Sequence, residues 1–173
     1  MENDILVDAY DNPIGTEEKI SAHEKGLLHR AFSVFVLREY HGKKQLLLQQ
    51  RQATKYHAGG LWTNTCCSHP RPDEDVIDAA VRRLQEEMGF SIPLKEIGTF
   101  TYRAEFENGL IEHEFDHILI GNTQQENFDV NPREVMAYRW SDFLSVDADY
   151  HADPTRFTPW FFQAFEIVRN KFF

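Results

Sequence analysis

WTNTCCSHPRPDEDVIDAAVRRLQEEMGF, residues 62–90, carries two adjacent cysteines and a histidine, then two prolines, then a strongly patterned helix that Gly89 stops. An acidic first turn from Asp73, Pro72 just before it and a glycine suited to a left-handed closing residue predict a helix over 73–88. Ile77, Val81, Leu84 and Met88 fall within one narrow arc and predict its buried stripe. Glu87 and Arg83 then flank that stripe, while Glu86 points away from it. One carboxylate and one guanidinium are therefore expected at the edge of the core. Read alone, Arg82, Arg83, Glu86 and Glu87 also make the i,i+4 pairs of an ordinary solvated helix face.

Outward from this stretch, the 173 residues are one domain's worth, 1–173, with no internal repeat or linker. A net charge of −10, spread along the chain, argues against a nucleic-acid surface, which must neutralise phosphates with basic groups. No apolar run is long enough to span a bilayer and no signal pattern opens the chain, so no membrane is expected and the location is expected to be cytoplasmic. The only two cysteines are neighbours, which excludes a disulfide framework.

Upstream, Ile5–Val7 predicts a short, peripheral strand before a turn at Asp11-Asn12-Pro13. Residues 17–30 hold His23 and His29 at a spacing for a loop or short helix; singly, each reads as a surface or capping residue. Ala31–Leu37 and Leu46–Leu48 predict two apolar strands around His41-Gly42-Lys43. Arg51 and Lys55 lead from them towards the cysteines, as cleft cations or as solvated loop charges.

Downstream, Gly98–Phe106 and Leu110–Gly121 predict a hairpin at Asn108-Gly109. Glu112, Glu114 and Asp116 share one face of its second strand, and Ile118–Ile120 places them near the core. A two-residue loop would put Tyr102 on the opposite face from these acids; an odd-length loop or bulge, which is the expectation, brings them together. Glu134–Trp140 predicts another strand, Ser141-Asp142 a helix start, and 147–156 an irregular stretch. Thr158-Pro159 opens a last helix whose apolar side is Phe161, Ala164, Phe165 and Val168. Trp160 fits either the core or a cleft wall. The sum is a compact α/β domain, a mixed sheet between helices.

The string Glu74…Arg82…Glu86-Glu87…Gly89 resembles much of the Nudix box. Ser68 stands where the box has its first glycine, and Arg83 where the family has a metal-holding glutamate. Losing that carboxylate and gaining a cation weakens a multi-metal hydrolytic centre. The segments EKISAH, LLHRAF, QRQATK, WTNTCCSHP, TYRAEF, LIEHE and FTPW, in this order across nearly the whole chain, resemble the type I isopentenyl-diphosphate isomerases, the isomerising branch of the Nudix fold.

That resemblance implies roles residue by residue. Cys67 matches the catalytic thiol, Glu114 the other acid/base group and Tyr102 its assistant. His23, His29, His69, Glu112 and Glu114 match the ligands of one Mn2+ or Zn2+, a donor set that suits zinc, manganese or iron. Glu87 matches the residue holding Mg2+ on the substrate diphosphate, Lys19, Arg51, Lys55 and Arg83 its cationic partners, and Trp160 the aromatic facing the hydrocarbon end. The expected partner is a small isoprenyl diphosphate, handled by a monomer or weak dimer. Tyr102 or Glu114 is expected to protonate the alkene, and Cys67, lowered in pKa by nearby positive charge, to take a second proton as thiolate. The alternatives are a Nudix pyrophosphohydrolase, which Arg83 opposes, and a metal-buffering or redox-sensing domain, which leaves Glu87 and the cations without a task.

Overall fold

The computed structural model describes residues 2–172. Nine strands form one mixed sheet: β1 (Asn3–Val7), β2 (Pro13–Glu18), β3 (His29–Tyr40), β4 (Lys43–Arg51), β5 (Trp62–Thr63), β6 (Cys66–Ser68), β7 (Lys95–Glu105), β8 (Ile111–Asn122) and β9 (Val135–Asp142). Helices α1 (Lys19–Lys25), α2 (Val76–Met88), α3 (Phe143–Ala152) and α4 (Phe161–Phe172) complete it.

β3 is the spine. It runs parallel to β8 over His29–Leu37 and antiparallel to β6 at Phe32–Val34, then to β4 from Leu37. Because side chains alternate along a strand, its residues divide between two cores. Phe32, Val34 and Val36 pack with Ala80, Leu84 and Met88 of α2, while Phe35 and Leu37 pack with Phe161 and Phe165 of α4. β3 is therefore buried on both faces and its apolar run is continuous rather than alternating. The expected sandwich of a mixed sheet between helices is what the chain forms.

α2 begins three residues later than its sequence signals indicated. Asp75, rather than a residue near Pro72, caps it by accepting from the amides of Ile77 (3.0 Å) and Asp78 (3.2 Å). Asp73 lies in the loop before it with φ 64°. The buried stripe shifts accordingly: Ile77 is 37% exposed, and Ala79, Ala80, Leu84, Glu87 and Met88 take the inner face. A carboxylate is thus drawn into the stripe itself.

Gly89 closes α2 at φ 77°, with its amide on the Gln85 carbonyl. A Cβ here would also run into the Asp129 carbonyl. Gly89→Ala is expected to cost at least about 1–2 kcal/mol for the left-handed backbone alone. That corresponds to a melting point lower by roughly 2–8 °C for a chain of this size. A thermal melt unchanged from wild type would contradict this account of the cap.

One further expectation is corrected. Residues 143–152 are helical, so the segment after Asp147 is not irregular until the 3-10 turn Pro154–Arg156. The β7–β8 connection, by contrast, is of odd length, as expected. The strands end at Glu105 and Ile111, five residues apart, with Gly109 at φ 83° donating to the Phe106 carbonyl. This odd-length loop sets Tyr102 directly opposite Glu114 and Ala104 opposite Glu112, so phenol and carboxylates share a face.

Candidate active site

β8 supplies the acids. Glu112, Glu114 and Asp116 share the face of Ile118, whose side chain lies in the α4-side core, and all three are buried. Burial pushes all three carboxyls up, Asp116 to about 8, and the crowding of the acids adds to it.

The histidines reach the same face from three elements. His23 lies on α1, His29 opens β3 and His69 follows β6. His23 Nδ1 lies 2.7 Å from the Lys19 carbonyl and His29 Nδ1 2.8 Å from that of Leu27. A carbonyl only accepts, so each Nδ1 carries a proton and each Nε2 turns inward. His29 Nε2 comes to 3.2 Å of His69 Nε2, which is 2.8 Å from Glu114 Oε2. Glu112 Oε2 lies 3.8 Å from His23 Nε2. Burial holds His23 at about 4 and His69 well below its usual range, so both imidazoles are neutral.

The donor set fits a divalent ion. His23 Nε2 is buried with no hydrogen-bond partner, and donor atoms of His23, His29 and His69 all lie within 4.8 Å of one another. Three imidazoles beside two carboxylates suit zinc or manganese better than magnesium, which favours oxygen.

β6 turns its two cysteines to opposite sides of the sheet. Cys66 packs against α2, and Cys67 packs into the α4-side core. Cys67 Sγ lies 3.1 Å from Asn64 Oδ1 and 3.7 Å from Ser33 Oγ, and accepts from Trp160 Nε1 at 3.2 Å. The expectation of a thiol acidified by positive charge is not met. Burial pushes Cys67 up to about 12 and Asp116 adds to the rise, against hydrogen bonds with Ser33, Asn64 and Trp160 that only partly offset it.

Cys67, His69, Glu112, Glu114 and Trp160 line a pocket of about 410 Å³. Lys19, Arg51, Lys55, Arg83 and Glu87 line it too, so every site residue singled out in the sequence borders it except His23, His29 and Tyr102. The two histidines stand behind His69. Tyr102 stands beside Glu114 and in edge contact with Trp160, ring centres 6.1 Å apart. Its hydroxyl is buried without a partner and its pKa is raised by burial, then by Glu112 and Glu114. Trp160, 2% exposed, serves as core and pocket wall at once.

The box helix is committed to ion pairs. Glu74 grips Arg82 through both oxygens at 2.8 Å, and Glu86 is held by Arg82 (2.7 Å) and Arg83 (3.0 Å). Arg83 also pairs with Glu87, which accepts from Gln49 Nε2 at 3.0 Å. A guanidinium therefore sits where a hydrolytic centre needs a carboxylate.

Sequence reasoning missed four residues. Asp4 of β1 is buried with its carboxylate 3.7–4.0 Å from nitrogens of His23, His29 and His69, so the N-terminal strand is not peripheral. β1 reaches the site by pairing Leu6 with His29. Glu134 pairs with Lys55, Ser33 Oγ donates to Asp116 at 3.0 Å, and His57 contacts Glu112. Only His57 left a signal, as a histidine two residues after Lys55.

A mixed sheet between helices, with a box helix bordering the pocket, is the Nudix arrangement. The NUDIX domain family pattern matches residues 27–161, and the chain belongs to that family. Within it, the chain stands among the isopentenyl-diphosphate Delta-isomerases. It is 50% identical to isopentenyl-diphosphate Delta-isomerase 2 of Photorhabdus laumondii, over 91% of this chain and 86% of that one. It is 52% identical to isopentenyl-diphosphate Delta-isomerase of Burkholderia multivorans, over 91% and 87%. In fold it is similar to DR0079 of Deinococcus radiodurans (TM-score 0.75, 17% identity, 97% and 98% covered). A MutT protein of Methanosarcina mazei shares the fold as well (TM-score 0.66, 15% identity, 84% and 96% covered).

Proposed function

We propose that this pocket interconverts isopentenyl and dimethylallyl diphosphate, an allylic shift in isoprenoid biosynthesis. The observation that carries the assignment of roles is one thiol, Cys67, and one carboxylate, Glu114, lining a single cation-lined pocket, with Tyr102 opposite Glu114 on the neighbouring strand.

The shift adds a proton to the terminal methylene and removes one from the carbon next to the diphosphate-bearing carbon. Glu114, with Tyr102 beside it, gives the first proton; tertiary carbocation character develops at the branched carbon. The face of Trp160 stabilises that charge without reacting with it. Cys67 takes the second proton. As a neutral thiol it must first release its own, and Ser33 Oγ, bound to Asp116, offers the way out. Water would trap that cation, so the bound substrate must exclude it from the pocket.

His23, His29, His69, Glu112 and Glu114 would hold one Mn2+ or Zn2+, and Glu87 would hold Mg2+ on the substrate diphosphate. When bound, such ions supply positive charge that offsets the crowded carboxylates and makes nearby acids stronger. Lys19, Arg51, Lys55 and Arg83 bind the diphosphate; Arg83 and Lys55 are held ready by Glu87 and Glu134. The chain is expected to act in the cytoplasm as a monomer or weak dimer on this small molecule, with no nucleic acid or membrane involved. Among the described residues no helix is long and apolar enough to cross a membrane.

Incubation of isopentenyl diphosphate with the purified protein and magnesium in deuterated water is expected to give dimethylallyl diphosphate carrying deuterium, read by proton NMR. No isomer and no exchange, with phosphate released instead from a nucleoside diphosphate panel, would restore the hydrolytic reading.

A further inference from the structure

His57 has no part in the chemistry above, yet it is buried between two of its working groups. It lies in the loop from β4 to β5, stacked on Tyr56 with ring centres 4.2 Å apart and an interplanar angle of 9°. On one side Arg51 Nη2 stands 3.3 Å from His57 Nδ1 and 3.1 Å from the His57 carbonyl. On the other, His57 Nε2 contacts Glu112 Oε2.

The Arg51 contact fixes the tautomer. A guanidinium only donates, so Nδ1 accepts and Nε2 carries the proton that faces the Glu112 carboxyl oxygen. Donor atoms of His57, His23 and Glu112 lie within 4.8 Å of one another, close enough for His57 itself to be a ligand. Ligation through Nε2 would move the proton to Nδ1, against the Arg51 donor. The geometry favours the outer role.

We propose that His57 is a positioning residue: fixed by Arg51 as the Nε2–H tautomer, it donates to Glu112 and orients that carboxylate towards the metal centre. This rests on the reading of the pocket as a metal- and diphosphate-binding site. Its consequence is coupling. Arg51, which grips the substrate's diphosphate, also sets the histidine that aims a metal ligand, so the anion end and the metal end of the pocket are joined by one chain of hydrogen bonds.

The test is metal affinity, independent of turnover. Zn2+ competition against a chromogenic chelator is run on the full chain. His57→Phe keeps the stack on Tyr56 and loses both nitrogens; it is expected to weaken binding about 10–100-fold, the usual cost of losing an outer-shell partner. His57→Gln, which can accept from Arg51 and donate to Glu112, is expected to restore the wild-type affinity. Arg51→Met is expected to weaken Zn2+ in the wild-type background and to add little in the Phe variant. With Co2+ as probe, the visible spectrum at saturation is expected to be the same in wild type and both His57 variants, since the ligands are unchanged.

Wild-type affinity in His57→Phe overturns the proposal, and a changed Co2+ spectrum overturns it in favour of direct ligation. Circular dichroism checks the fold; if the Phe variant does not fold, His57→Ala takes its place. Absence of Zn2+ binding in wild type, with His69→Ala no different, overturns the metal reading itself, a result distinct from either.

Discussion

Cys67→Ala is expected to lower isomerisation by roughly 10²–10⁴-fold, the range lost when a positioned acid/base group is removed. The pocket keeps its cations and its His/Glu cluster in this variant, so on the proposed roles the loss is expected in kcat with KM little changed. A second, smaller effect comes with it. Trp160 Nε1 loses the sulfur it donates to and is left buried without an acceptor, at about 1–3 kcal/mol. The melting point is therefore expected to fall by several degrees as well, roughly 2–4 °C per kcal/mol for a chain of this size. Assay well below the transition separates the two effects. Retention of activity within about tenfold of wild type, by the same deuterium NMR measurement, would remove Cys67 from the proton-transfer role.

Stripping metal with a strong chelator is the other large perturbation. The inward nitrogens of His23, His29 and His69 and the buried acids Glu112 and Glu114 are brought together at a cost in desolvation and repulsion that a divalent ion offsets. Free metal at about 100 times its Kd stabilises the folded chain by about 2.7 kcal/mol. Its removal is thus expected to lower the melting point by roughly 5–11 °C and to abolish isomerisation. Zn2+ or Mn2+ is expected to restore both, and Mg2+ alone neither, because imidazole nitrogens are poor partners for magnesium. Full recovery with Mg2+ alone would contradict the assignment of the histidines as ligands.

What could be read early and what could not divide along physical lines. The strands of β3 and β4, the α2 helix and its stop at Gly89, and the apolar side of α4 follow from local periodicity and from glycine's left-handed freedom, both present in any short window of sequence. The start of α2 was misplaced because proline and acidic residues mark helix beginnings only statistically, whereas the capping contact of Asp75 decides the case. The odd-length hairpin loop was anticipated, although Asn108-Gly109 alone favours a tight turn: Gly109 closes a five-residue connection that keeps Tyr102 opposite Glu114.

By itself, then, the sequence determined a single α/β chain with a box helix, a thiol beside a histidine, and an acidic strand. Its ordered segments carried the resemblance to the isomerases, because residue identities are preserved in the chain whatever their spatial neighbours. Only the tertiary structure decided that Tyr102 faces Glu114, that Cys67 rather than Cys66 borders the pocket, that burial raises the pKa of its thiol, and that Asp4, His57 and Glu134 pair with residues of the site. Those facts depend on strand register, on burial and on which charges lie within a few ångströms. Each is set by long-range packing: Asp4 meets His69 across 65 positions of chain, and His57 meets Glu112 across 55.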